Sequence, residues 1–257
     1  MSNDSKGGQV ALQLEPPLGP LIKSVFGDCR YESHSQANGL LLSRGSGRSP
    51  TDCRKADQKS QLQQQGKKAM NVDQDWMLRL AVMSTLVKDA PQKPGRTVLM
   101  KLAYLLQEVK GVPLGYRFEL YNYGPYDSTV LSDLSQAATL KAIKSSVVHY
   151  PSGDGYEYST NEKGHSILSR KVAGALAEHE ESIKWVLDEF GSDSASRLEL
   201  ISTIVFAERE MTRKNQPRLA SELCRRVKGI KPHFSESVIL DTITALAEKK
   251  LISVIPN

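Results

Sequence analysis

The side chains able to do chemistry are spread thinly along this chain. His149, His165, His179 and His233 lie far apart, and none falls in a His-Glu-x-x-His or His-x-His frame. A zinc site needs three or four ligands converging at fixed spacing. The three cysteines, Cys29, Cys53 and Cys224, follow no such spacing. Their odd number and scatter fit a reducing compartment, and so a cytoplasmic protein. His179 stands between Glu178 and Glu180, yet sequence neighbours on a helix point to different faces. Gly153-Asp-Gly155 lacks the lysine and the frame of a phosphate loop. Serine and aspartate are plentiful, but no nucleophile elbow is present. The sequence thus predicts no enzyme, no metal and no cofactor. Catalysis would have to be assembled from distant residues in three dimensions.

Two other constellations suit recognition. The first is Tyr121-Asn-Tyr-Gly-Pro-Tyr126. Gly124 permits a positive φ or a close backbone approach, and Pro125 fixes the next turn. Tyr121, Tyr123 and Tyr126 around a rigid Gly124-Pro125 turn offer a half-polar surface to a protein partner. The plainer alternative is that the tyrosines pack the turn onto the helices before it.

The second is a basic stretch from Arg209 to Lys231. Arg213, Lys214, Arg218, Arg225, Arg226, Lys228 and Lys231 are its candidates for contact with nucleic-acid phosphates. An acidic run precedes it, with Glu178, Glu180, Glu181, Asp188, Glu189, Asp193 and Glu199. Pairing of the two runs, within the fold or across a homodimer, and a solvated face are the competing readings.

These residues need a scaffold, and hydrophobic spacing supplies one after about residue 71. Trp76, Met77, Leu80, Met83, Leu86 and Val87 recur at helical spacing. Thr97 is placed to cap a second helix carrying Leu99, Leu102, Leu105 and Leu106, which Gly111 ends and Pro113 keeps from restarting. Tyr116 to Tyr123 reads as extended, and Gly124-Pro125 as its turn. Asp127 or Ser128 caps a third helix. Val147 to Tyr150 and Tyr156 to Tyr158 flank a Gly-rich turn and predict a hairpin. One long helix then runs to Phe190 and stops at Gly191.

The last sixty residues repeat the theme. A strongly apolar helix covers Leu198 to Phe206, a short one opens after Pro217 and stops at Gly229, and a third is capped by Ser235. Leu251 to Ile255 reads as a terminal strand. The expected fold is mainly α with a short β-hairpin. It holds two winged-helix-like modules, 71–165 and 166–257, joined by a long helix.

Residues 1–70 are rich in Gly, Ser, Gln and charge, a composition that predicts a disordered tail. Pro17 to Phe26 alone has apolar content suited to transient docking. The abrupt change of composition after Met70 raises the expectation that Met70 is the native start. The tail carries about ten Lys/Arg against about six Asp/Glu, so most of the net charge of +5 sits there. The high pI is therefore weak support for nucleic-acid binding by the folded part. No run of about 18 apolar residues suggests a membrane span.

A resemblance runs through the folded part. Lys101-Leu-Ala-Tyr-Leu-Leu-Gln107, Gly111-Val-Pro-Leu, Phe118 and Tyr123-Gly-Pro-Tyr126 resemble the YwgA family. So do Leu198 to Phe206, Ile230-Lys-Pro-His-Phe-Ser-Glu236 and Leu251-Ile252. The helix followed by a Tyr-Gly-Pro turn is more distantly similar to the Panacea domain of SocA-like antitoxins. The Panacea likeness implies an antitoxin-like or defence-linked regulatory role by protein contact, with no catalytic residue. The extra C-terminal module departs from that pattern.

The sequence favours a non-enzymatic regulatory protein that binds a protein partner. The competing reading is a winged-helix DNA-binding regulator. Against it, Asp127 to Ala138 holds no Lys or Arg, and the helix from Ser235 presents Glu236, Asp241 and Glu248.

Overall fold

The computed structural model describes residues 74–150 and 153–255. The tail at 1–70, the proposed start at Met70, and Cys29 and Cys53 lie outside these residues. Among the described residues the protein is mainly helical, with two antiparallel two-stranded hairpins. No helix among them is long and apolar enough to cross a membrane.

The first helix, α1, covers 74–89 and buries Leu80, Met83, Leu86 and Val87 on the expected stripe. Next, α2 (Arg96–Lys110) starts at Gly95 with no side-chain cap. Thr97, the expected cap, lies inside the helix, because the segment before it is held from elsewhere. Gly95 pairs with Glu157, and the Pro94 carbonyl accepts a hydrogen bond from the Tyr158 N–H at 3.0 Å. Gly111 ends α2 in the left-handed region at φ 69°, as its sequence position predicts.

A tight hairpin follows, with β1 (Glu119–Tyr121) paired to β2 (Gly124–Tyr126). Its turn is Asn122-Tyr123. Gly124-Pro125, expected to form the turn, begin the return strand. Then α3 (Ser128–Thr139) is capped by Asp127, whose side chain accepts from the Thr129 N–H at 2.8 Å. The second hairpin joins β3 (Ile143–Tyr150) to β4 (Gly153–Thr160), in register from Ile143↔Thr160 to Tyr150↔Gly153. It is longer than its β-forming residues alone predict.

The single long helix expected after it is three. They are α4 (Glu162–Lys171), α5 (Ala173–Ala177) and α6 (Glu180–Phe190). The backbone leaves helical geometry at Val172 (φ −124°, ψ 25°) and at His179 (φ −113°, ψ 0°). These two bends bring α6 back onto α2. Gly164, in the first turn of α4, lies against the bend after α3: a Cβ there would sit 1.8 Å from the Lys141 carbonyl oxygen.

The centre of the molecule is α7 (Ala195–Arg213). Every residue from Leu198 to Val205 is buried, so it is covered on all faces. It packs against α2 and β2, and against α8 (Ala220–Ile230) and α9 (Glu236–Glu248). Ser235 caps α9, accepting from the Val238 N–H at 3.3 Å. Gly229 lies within α8 and does not stop it. The terminal strand expected from Leu251 to Ile255 reduces to one parallel bridge, Leu219↔Ile255, because the chain meets only 218–220 there.

Candidate partner-binding site

The Tyr121–Tyr126 hairpin stands on a floor of buried charge. Lys101 lies in an apolar run of α2 and is 2% exposed, and its Nζ donates to the Pro125 carbonyl at 2.6 Å. Lys231, the residue after α8, is 1% exposed. Its Nζ donates to the Asn122 carbonyl and pairs with Glu199 Oε1 at 2.6 Å. Glu199, in the second turn of α7, is 8% exposed. Two ammonium groups, one of them paired with a carboxylate, thus hold the hairpin by the Asn122 carbonyl of its turn and the Pro125 carbonyl of its return strand.

The seat itself is made of small hydroxyl residues. Gly124 has φ 86°, and a Cβ there would lie 2.8 Å from Thr203 Oγ1 and 3.4 Å from Ser202 Oγ. Both hydroxyls donate to the Glu199 carbonyl, at 2.7 and 3.2 Å. Gly124 is required twice over, by its left-handed backbone and by this close approach. At the base of the hairpin, Tyr104 meets Phe118 edge-on at 5.1 Å. The Tyr116 hydroxyl donates to Asp133 at 2.8 Å, and Arg79 pairs with the same carboxylate at 2.8 Å.

What remains outside is the tip. Tyr123 is 69% exposed and Tyr121 46% exposed, while Tyr126 is half-buried with its ring 5.6 Å from that of Tyr121. Gly124 and Pro125 are buried. Of the five residues singled out in this motif, two tyrosines therefore form the accessible surface, and the other three shape and support it. The side of the hairpin borders a cleft of about 430 Å³ lined by Arg117, Glu119, Tyr126 and the start of α3.

The basic set is largely engaged within the protein. Arg213 pairs with Glu210 at 2.7 Å and Glu108 at 3.6 Å, and Lys214 with Glu210 at 3.5 Å. Arg218 lies 3.6 Å from Glu208, and Arg225 pairs with Glu222. Arg226 donates to Gln216 at 2.9 Å, and Lys228 to the carbonyls of Pro232 and Phe234 at 2.9 and 2.7 Å. Lys231 must be removed from the phosphate-binding set, because it is buried in the floor of the tyrosine turn. Of the preceding acidic run, Glu199 alone meets this set in these ion pairs; the other carboxylates are local to the basic stretch, except Glu108 of α2.

Lys101 and Glu199 escaped the sequence reading as site residues. Their signal was a lone charge inside an apolar run, Val98 to Leu106 and Leu198 to Val205 respectively.

Burial lowers the Lys101 ammonium from 10.5 to about 8, with Glu199 opposing the shift and Lys231 adding to it. From about pH 8 the unfolded chain holds this proton more tightly than the folded one, so stability should rise with pH, until near pH 9 the Cys224 thiol, raised by burial, begins to oppose the rise. Above about pH 10 the trend reverses, because burial raises the hydroxyl pKa of Tyr104 and Tyr116 above the usual tyrosine value. Chemical denaturation across this range should show the rising limb in the wild type and lose it in Lys101→Met. A wild type that is flat from pH 8 to 9 would contradict it.

No protein-family model matches the sequence, and no curated protein matches it.

Proposed function

We propose that the protein is a non-enzymatic regulator that docks a protein partner on the Tyr121–Tyr123 tip. The observation that carries this reading is the clamp. Two buried lysines grip carbonyls of the hairpin while the Tyr121 and Tyr123 rings at its tip face solvent. Rigid aromatic anchors of this kind supply much contact area at low entropic cost and dominate protein interfaces. The mechanism is masking: the tip covers a face of the partner and no bond is made or broken. The resemblance to Panacea-domain proteins supports an antitoxin-like role by protein contact, and the scattered, odd-numbered cysteines support a cytoplasmic setting.

The order of α1, an extended Gly95, α2, α3 and the β3–β4 hairpin, with the β1–β2 hairpin inserted between α2 and α3, supports a winged-helix reading of the first half. In DNA-binding members α3 would enter the major groove. Here α3 carries no Lys or Arg and buries Asp133 in an ion pair, which supports protein docking over base reading.

Tyr123→Ala should weaken partner capture by roughly tenfold or more. The same change should leave the unfolding free energy within about 0.5 kcal/mol of wild type, since the ring is exposed. Affinity purification after nuclease treatment, paired with urea denaturation, reads both. Unchanged capture would reject the assignment. Tyr126→Ala is a poorer probe because Tyr126 also packs on Tyr121.

A further inference from the structure

We infer that His165 is an acid-released latch joining α1 to α4 at the edge of a second, larger cleft. The cleft has a volume of about 760 Å³ and lies between the end of α1 and the bent α4–α5–α6 segment. His165 lines it from the first turn of α4 and is 8% exposed. Its Nδ1 lies 2.8 Å from Ser84 Oγ on α1, a hydroxyl with no exposure, and its Nε2 lies 3.4 Å from Ser169 Oγ. The ring thus makes a side-chain hydrogen bond between α1 and α4, joining residues eighty-one positions apart.

A neutral imidazole has one donor and one acceptor, which two hydroxyls satisfy in either tautomer. An imidazolium has two donors, which the same hydroxyls can accept, but it also carries a charge, and burial at the latched position disfavours that charge. From α1 it faces Lys88 and Asp89, and on its own helix Glu162 and Arg170. Glu180, Lys184 and Asp188 of α6 line the opposite wall. Burial holds the ring's proton affinity below the usual 6.5, Lys88 adds to this, and Asp89 and Glu162 oppose it.

A ring turned out into the cleft is relieved of that burial. Acid therefore favours the released ring over the latched one. The contribution of the contact is complete above pH 6.5 and is lost as pH falls through the lowered value. The empty space beside the ring gives it somewhere to go without unfolding α4. This reading is independent of the tyrosine tip.

Amide hydrogen exchange on the full chain tests it, with protection factors compared at about pH 7.5 and about pH 5. Protection of α4, and of α1 around Ser84, should fall several-fold in acid while α9 is unaffected. In His165→Gln that loss should vanish. Equal loss in the variant, or no loss in the wild type, would overturn the latch. The imidazole resonances of the wild-type protein supply a second readout that needs no variant. Titration of the His165 ring below 6.5 is expected, and a midpoint at or above 6.5 would refute the proposal.

Discussion

Replacing Glu199 with glutamine is expected to cost about 3–5 kcal/mol of unfolding free energy. The carboxylate pairs with Lys231 at 2.6 Å and lies close enough to oppose the loss of charge at Lys101. Removing it leaves two buried ammonium groups facing two carbonyls and no anion. The buried pair itself adds little, because desolvation of both groups offsets their attraction. The asymmetry is what makes the single change severe. Lys101→Met should cost much less, since it removes a buried charge while leaving the Pro125 carbonyl without its donor. Glu199→Gln combined with Lys231→Met should recover part of the loss, as coupled neighbours do. Urea denaturation of the four proteins measures all of this. A Glu199→Gln loss under about 1 kcal/mol would mean that the ion pair contributes nothing that the glutamine amide cannot.

Gly164→Ala is the other change with a large expected effect, at or above the ~3 kcal/mol upper end for overpacking. Its added methyl would overlap backbone atoms, 1.8 Å from the Lys141 oxygen, 2.4 Å from its carbon and 2.9 Å from the Ala142 nitrogen. No rotamer relieves a clash with backbone. Helix α4 would have to lift from the bend after α3, breaking the hydrogen bond from the Asn161 N–H to the Ala142 carbonyl. Gly174 is the matching control. A Cβ there meets nothing within 4 Å, so Gly174→Ala should be neutral or stabilising by about 0.4–1 kcal/mol. Denaturation midpoints that move alike for the two variants would remove the steric explanation.

The parts of this molecule written in local sequence were legible. Asp127 and Ser235 announce their helices because a cap acts within three residues. Gly111 announces an end for the same reason. The β3–β4 hairpin shows in its β-branched and aromatic residues. What was not legible depends on partners distant in the chain. Gly124-Pro125 resembles a turn, yet Gly124 is shaped by Thr203 of α7, and the bend falls two residues earlier at Asn122-Tyr123. Lys231 looks like one more cation in a basic run, and only the approach of Asn122 and Glu199 shows it to be interior. The long helix from 162 to 190 has a continuous apolar stripe, so nothing local forces the bends at Val172 and His179. They are required by the return of α6 to α2.

The grip of Lys101 and Lys231 on the hairpin has a kinetic corollary. A loop whose main chain is already fixed has little freedom left to surrender when another molecule arrives. Encounter would then proceed without waiting for a rearrangement. Changes to the exposed rings would be felt in how long a complex survives and hardly at all in how fast it forms.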